Sequence, residues 1–270
     1  MSYSIFEGTM ADMTYTQVEE AASKGTIVFF PIAVIEEHGP HMCLGTDVYG
    51  SYDVTFKIKQ KLNEKGIDSV IVPPFYWGIN HLTSAFTGSF TSKESTMKNM
   101  LIEIILCLKK WGFNRIIPIS GHNDYLHNKV IIEVAKECMS KHNINVHIPL
   151  QDNMVKLHGY TGKEDYLLSI ESEIEIEEED YVDIHAGSYE TSYMINEYPK
   201  LVDQELAKTL KPTEVTEKDF SVLFKGGEVS KKLIPNGYCG NPSKINLSKA
   251  KEINDCIVGY ITDAIEQLVK

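Results

Sequence analysis

Apolar and polar positions follow two rhythms along this chain, and the rhythms exchange in a regular order. Residues 26–34 (TIVFFPIAV) are almost continuously apolar, as a parallel strand covered on both faces requires. Before them, residues 14–22 carry a Thr cap and glutamates and stop at Lys24-Gly25, which predicts a short helix. After them, Val48, Tyr52, Phe56, Ile58 and Leu62 recur at roughly helical spacing over residues 47–65, and the run ends at Gly66. The exchange repeats as strand 69–73, helix 93–111 (Leu101, Ile104, Ile105, Leu108), strand 115–120, helix 127–142 and strand 146–150. This βαβα order predicts an α/β protein with a mostly parallel, layered sheet.

Two segments leave the alternation. Residues 171–180 (ESEIEIEEED) form a charge run, expected to be a solvated strand edge or excursion without chemistry. Residues 211–240 hold few periodic apolar positions and end in a turn-rich stretch, so a long ordered loop is expected before a terminal helix over 248–269. Neither an internal repeat nor linker composition interrupts the chain, so one domain spanning residues 1–270 is expected.

Composition narrows the classes of partner. With 270 residues, 43% of them hydrophobic, the chain can bury one large core. A formal net charge of −12 without a dense basic patch argues against nucleic acid and leaves a small molecule or a metal as the partner. Five scattered cysteines show no Cys-x-x-Cys spacing, which fits free thiols in a reducing cytoplasm. The first residues lack a signal-like pattern and no apolar run reaches transmembrane length, so a cytoplasmic protein without a membrane partner is expected.

Candidate chemistry sits where the predicted strands end. Residues 36–47 (EEHGPHMCLGTD) pack three acids and two histidines directly after the first strand. A second acid and histidine, His122 and Asp124, follow the strand at 115–120, and ligands of parallel sheets bind at such carboxyl ends. Carboxylate oxygens with imidazole nitrogens suit zinc, manganese or iron. Glu36, His38, Asp47, His122 and Asp124 make five ligands, more than one catalytic metal uses, and fit two divalent ions ~3.5–4 Å apart that share and acidify a water. Asp47, just before a helical run, also suits an N-cap. A third cluster, residues 183–192 (DIHAGSYETS), adds His185 as a general acid/base and Glu190 to orient a ligand or water.

These motifs resemble the creatininase (creatinine amidohydrolase) family, whose pattern is Glu-x-His-Gly-Pro-His, Thr-Asp, Gly-His-x-x-Asn and His-Ala-Gly-x-x-Glu-Thr-Ser. Here they stand as Glu36 to His41, Thr46-Asp47, Gly121 to Tyr125, with Tyr125 in place of the last Asn, and His185 to Ser192. Gly237 to Pro242 resembles the family's Gly-x-x-Gly-x-Pro loop. The resemblance implies a three-layer α/β/α fold with a mostly parallel central sheet, two divalent metal ions, carbon–nitrogen bond hydrolysis and a homohexamer. By position it implies that Glu36 and His122 hold one metal and His38 and Asp124 the other, with Asp47 bridging. His185 would then protonate the leaving nitrogen, and Glu190 stands on the family's Glu. Glu37 and His41 are left to supporting roles.

Departures from the pattern argue against creatinine as substrate. Asp124 is one methylene shorter than the Glu of creatininase proper, and Asn123 replaces a tyrosine. In residues 76–89 the family's Glu-His is Leu82-Thr83, its Pro is Thr87, and a histidine has moved to His81. Trp77, Asn80, His81 and Asn123 are the candidate substrate contacts. The expected substrate is a small polar amide, lactam or formamide. The rivals are hydrolysis of a carbon–carbon bond in a cyclic keto-sugar on the same scaffold, and metal binding without turnover.

Overall fold

The computed structural model describes residues 3–171 and 180–270; the charge run falls almost wholly on 172–179, outside the described residues. Its helices are α1 (Tyr15–Ser23), α2 (Thr46–Glu64), α3 (Glu94–Lys110), α4 (Tyr125–His142), α5 (Asp152–Leu157), α6 (Ser188–Glu197), α7 (Gln204–Ala207), α8 (Phe220–Leu223), α9 (Gly227–Leu233) and α10 (Leu247–Val269). Strand β1 (Ile27–Ile32) is buried along its whole length. It pairs in parallel with β2 (Ser69–Ile71) on one side and β3 (Arg115–Ser120) on the other, and β4 (Asn145–Val146) extends the sheet beyond β3.

Alternation along the strands sorts side chains into two cores. Val28, Phe30, Ile32, Val70 and Ile116 face Met97, Leu101, Ile105 and Leu108 of α3 and the apolar stripe of α4. Ile27, Phe29, Ile71, Ile117 and Ile119 face Ile58 and Leu62 of α2 and Val258 and Ile265 of α10. Helices therefore cover both faces, the three-layer α/β/α arrangement. This explains the unbroken apolar run of β1, since a strand with two covered faces has no polar side to show.

The strand expected over 146–150 divides in two. His147 lies between the parts, and β5 (Ile148–Gln151) pairs in parallel with β6 (Leu167–Ile170) as a separate two-stranded ladder. β6 is a four-residue run too short to announce itself by periodicity. Residues 211–240 are also more ordered than a long loop. They form a 3₁₀ turn (Glu217–Asp219), α8 and α9, held by a small core of Val215, Leu223, Ile234 and Cys239. Among the described residues no helix is long and apolar enough to cross a membrane.

The chain runs from β1 to β2 on one side and then crosses to β3 on the other. The crevice between β1 and β3 is therefore a switch point, where the two following loops diverge and leave room for a ligand. The register sets Ile32 beside Ser120, so both loops leave the sheet at the same level.

Candidate metal centre

Glu36 and His38 stand on the loop leaving β1, and His122 lies two residues beyond the end of β3. Asp47 occupies the first turn of α2 and Glu190 the first turn of α6, where exposed amide N–H groups and the helix dipole favour a carboxylate. The turn into α6 is tight. Ala186 has a φ of +50°, its N–H donates to Glu190 Oε2 at 2.5 Å, and Ser188 N–H donates to Asp183 Oδ2 at 2.7 Å. A Cβ on Gly187 would fall 1.8 Å from Asp183 Oδ1, so the Gly of His-Ala-Gly is a packing requirement.

Six side chains meet in this crevice. His122 Nδ1 lies 2.9 Å from Asp47 Oδ2 and 3.1 Å from Glu36 Oε1, and His38 Nε2 lies 3.3 Å from Asp47 Oδ1. Three donor sets have atoms within 4.8 Å of one another: Glu36, Asp47 and His122; His38, Asp47 and Glu190; and Glu36, His38 and His185. Asp47 belongs to the first two. Backbone carbonyls decide which imidazole nitrogen faces inward, because a carbonyl can only accept. His122 Nε2–H donates to Ile79 O at 3.0 Å and His38 Nδ1–H to Glu36 O at 3.2 Å, which aims His122 Nδ1 and His38 Nε2 at the acids.

The buried atoms left without partners fit a cation. Among the described residues eight buried side-chain polar atoms lack a hydrogen bond, and two of them, His38 Nε2 and Asp47 Oδ2, belong to these donor sets. Orphaned atoms of this kind are rare and point to a ligand. Mixed carboxylate and imidazole donors suit zinc, manganese or iron better than calcium or magnesium.

Without a metal, protons take the cation's place. Burial opposes charge on His38, but Asp47, Glu190 and Glu36 outweigh it and lift its pKa to about 10. His122 is likewise raised, against burial, by Glu36 and Asp47. Asp47, despite burial, is held well below the usual carboxylate range by His38 and His122. Burial raises Glu190. By contrast burial, with repulsion from His38 and His185, keeps His41 neutral at about 4. Since the folded pKa of His38 exceeds its ordinary 6.5, its charge stabilises the metal-free fold fully below pH 6.5, and that stability is lost as pH rises through about 10. Chelator-treated protein is therefore expected to melt at falling temperature across this window, while metal affinity rises as the competing protons leave. Thermal melts with and without chelator check this; a metal-free melting temperature unchanged from pH 6.5 to 10 would refute it.

Asp124 is placed differently from the ligand role implied by position. It caps α4, Oδ1 accepting from Leu126 and His127 N–H at 2.9 and 3.1 Å, while Oδ2 accepts from His81 N–H at 2.9 Å. With both oxygens engaged by backbone amides it joins none of the three donor sets, and Glu190 stands beside His38 and Asp47 instead. His185 lies at the centre, its Nδ1 3.9 Å from Glu36 Oε1 and its Nε2–H donating to Glu37 O at 2.9 Å. Glu37 packs against it, Oε1 3.3 Å from His185 Nε2, and a Cβ on Gly237 would strike Glu37 Oε2 at 1.9 Å. His41 Nε2 pairs with Thr191 Oγ1 at 2.8 Å.

Of the candidate substrate contacts, Trp77 is 48% exposed and packs edge-on against Phe90, and Asn123 and His81 are exposed. Asn80 is buried and holds Thr83. Sequence reasoning missed the roles of two supporting residues. Thr83 Oγ1 donates to Glu36 Oε2 at 2.5 Å, whereas the sequence marked Thr83 only as a departure from the family pattern. Asp183 was legible only in part: Gly187 and Gly240 both leave room for it, a convergence invisible along the chain.

The model of the Creatininase family, described as creatinine amidohydrolase, matches residues 11–265. The chain belongs to the creatininase family. This creatininase-family protein is 25% identical over 212 residues to the creatinine amidohydrolase of Pseudomonas putida, covering 75% of each chain. It is 22% identical over 275 residues to the 3-dehydro-scyllo-inosose hydrolase of Thermotoga maritima, covering 96% of this chain and 82% of that one. A crystal structure of creatininase superposes with a TM-score of 0.69 at 21% identity, covering 96% of this chain and 97% of the other, which establishes the common fold. Membership places the protein among hydrolases of an amide-cleaving family, and its donor sets support the use of a divalent metal.

Proposed function

We propose that this creatininase-family protein is a metal-dependent hydrolase of a small polar amide, lactam or formamide other than creatinine. Glu36, Asp47 and His122 would hold one divalent ion and His38, Asp47 and Glu190 a second, of zinc, manganese or iron. The observation that carries this reading is Asp47, shared between two ligand sets whose imidazoles are aimed by backbone carbonyls. Ions bound there would acidify a water and polarise a carbonyl.

The chain's own residues supply the rest. The Glu37 carbonyl takes the Nε2–H of His185 and leaves Nδ1 facing the centre. From there His185 carries a proton to the leaving nitrogen as the carbon–nitrogen bond breaks and the water oxygen stays on the acyl carbon. Glu37 and Glu36 favour its charged form, against burial and the nearby His38. Trp77, His81 and Asn123 are the proposed substrate contacts, and Asn80 acts from behind them. The proposal extends to a homohexamer, which the family resemblance implies, of single-domain subunits in the cytoplasm, which the unbroken composition and scattered cysteines suggest.

A second reading, opening of a cyclic keto-sugar at a carbon–carbon bond, draws support from the inosose hydrolase match over 96% of this chain. Assays of manganese-, zinc- and iron-loaded protein on cyclic amides, formamides and keto-polyols separate the two. Release of an amine or ammonia from an amide is the expected result. Turnover of keto-polyols alone would transfer the assignment to the second reading, and bound metal without any turnover would leave a binding protein.

A further inference from the structure

The loop joining β2 to α3, where the sequence departs from the family pattern, touches the centre at His122 through the Ile79 carbonyl and at Glu36 through the Thr83 hydroxyl. Thr83 is fully buried, and its Oγ1 lies 2.5 Å from Glu36 Oε2. The same oxygen lies 2.5 Å from Asn80 Nδ2 and 3.3 Å from Ser89 Oγ. Thr83 N–H returns a bond to Asn80 Oδ1 at 3.0 Å, and Ser89 Oγ accepts Glu37 N–H at 3.0 Å. An amide nitrogen can only donate, so Asn80 takes a lone pair of the threonine oxygen. A hydroxyl has one proton, and the carboxylate, which can only accept, receives it.

This arrangement commits one oxygen of Glu36 and leaves the other. Oε2 is tied to Thr83, while Oε1 lies 3.1 Å from His122 Nδ1 and 3.9 Å from His185 Nδ1. We propose that Thr83, aimed by Asn80, is a positioning residue that confines Glu36 to one-oxygen ligation of the metal centre. The inference rests on the metal-centre reading above and adds how one ligand is held. A one-oxygen carboxylate keeps a coordination position free for water or substrate, which catalytic sites need and structural sites lack. Partners that orient a ligand in this way are typically worth about 10–100-fold in metal affinity or activity.

The test compares Thr83→Val, which keeps the shape and removes the hydroxyl, with Thr83→Ser, which keeps it. Affinity for zinc is read by competition with a chromogenic chelator, and ligation by the visible spectrum of the cobalt(II)-loaded protein. T83V is expected to bind one equivalent about 10–100-fold more weakly, with cobalt bands weakened as Glu36 turns both oxygens to the metal. T83S is expected to match the wild type on both counts. Should T83V fail to fold by circular dichroism, Asn80→Ala carries the test, because it leaves the hydroxyl but frees its direction, and an intermediate loss of affinity is expected. Wild-type affinity and spectrum in T83V, or wild-type affinity in N80A where T83V does not fold, would overturn the proposal while leaving the metal centre intact. A wild-type protein that takes up no metal would instead remove the centre and this role with it.

Discussion

Asp47→Asn is expected to lose metal from both halves of the proposed centre at once and to lower turnover by at least about 100-fold. The aspartate presents Oδ1 to His38 and Oδ2 to His122, at 3.3 and 2.9 Å, and belongs to both ligand sets. Asparagine would offer one neutral oxygen and one amide donor, so an N–H group would face whatever the second oxygen now meets, and a full negative charge would be gone. Metal analysis of the purified variant checks this, and a full complement of metal would sink the bridging role. The comparison is Asp124→Ala. It is expected to keep metal while costing about 0.5–2 kcal/mol of stability, because its carboxylate caps α4. Loss of metal from that variant would return Asp124 to the ligand set implied by its position in the family pattern.

His185→Ala is expected to show the opposite division, with turnover lowered by about 10²–10⁴-fold and metal retained. Its Nε2–H is occupied by the Glu37 carbonyl, so only Nδ1 faces the centre, 3.9 Å from Glu36 Oε1. That is the geometry of a group that moves a proton rather than one required to hold an ion. Turnover and metal content measured on the same sample decide the matter. Metal lost in proportion to activity would make His185 a ligand, a role that the third donor set, Glu36, His38 and His185, permits.

Much of the layered fold was legible because burial on two faces leaves a plain mark on sequence. The run that became β1 is apolar throughout and that of β3 is apolar between Arg115 and Ser120, and α2, α3 and α4 repeat apolar residues at helical spacing, so their order alone predicts a parallel sheet. Where burial is shared among short pieces the mark fades. β6 and the helices within residues 211–240 rest on a few apolar side chains whose partners are distant in sequence, such as Val215 against Cys239.

The site divides in the same way. Density of acids and histidines at two strand ends is a property of the chain itself, and so are the residue types that make a divalent metal the fitting ligand. Which carboxylates turn inward is not. By sequence Asp124 reads as a ligand and Glu190 has only an orienting role, but one oxygen of Asp124 is captured by the first amides of α4 and the other by His81 N–H, whereas Glu190 lies on a turn that Ala186, Gly187 and Asp183 fold back beside His38. The sequence by itself determined the layered α/β architecture, the position of the candidate centre at the ends of β1 and β3, and the donor types offered there, because these depend on local periodicity and residue type. Only the tertiary structure decided that Glu190 rather than Asp124 approaches His38 and that Thr83 grips Glu36, because both depend on competition among hydrogen-bond partners that meet only once the chain has folded.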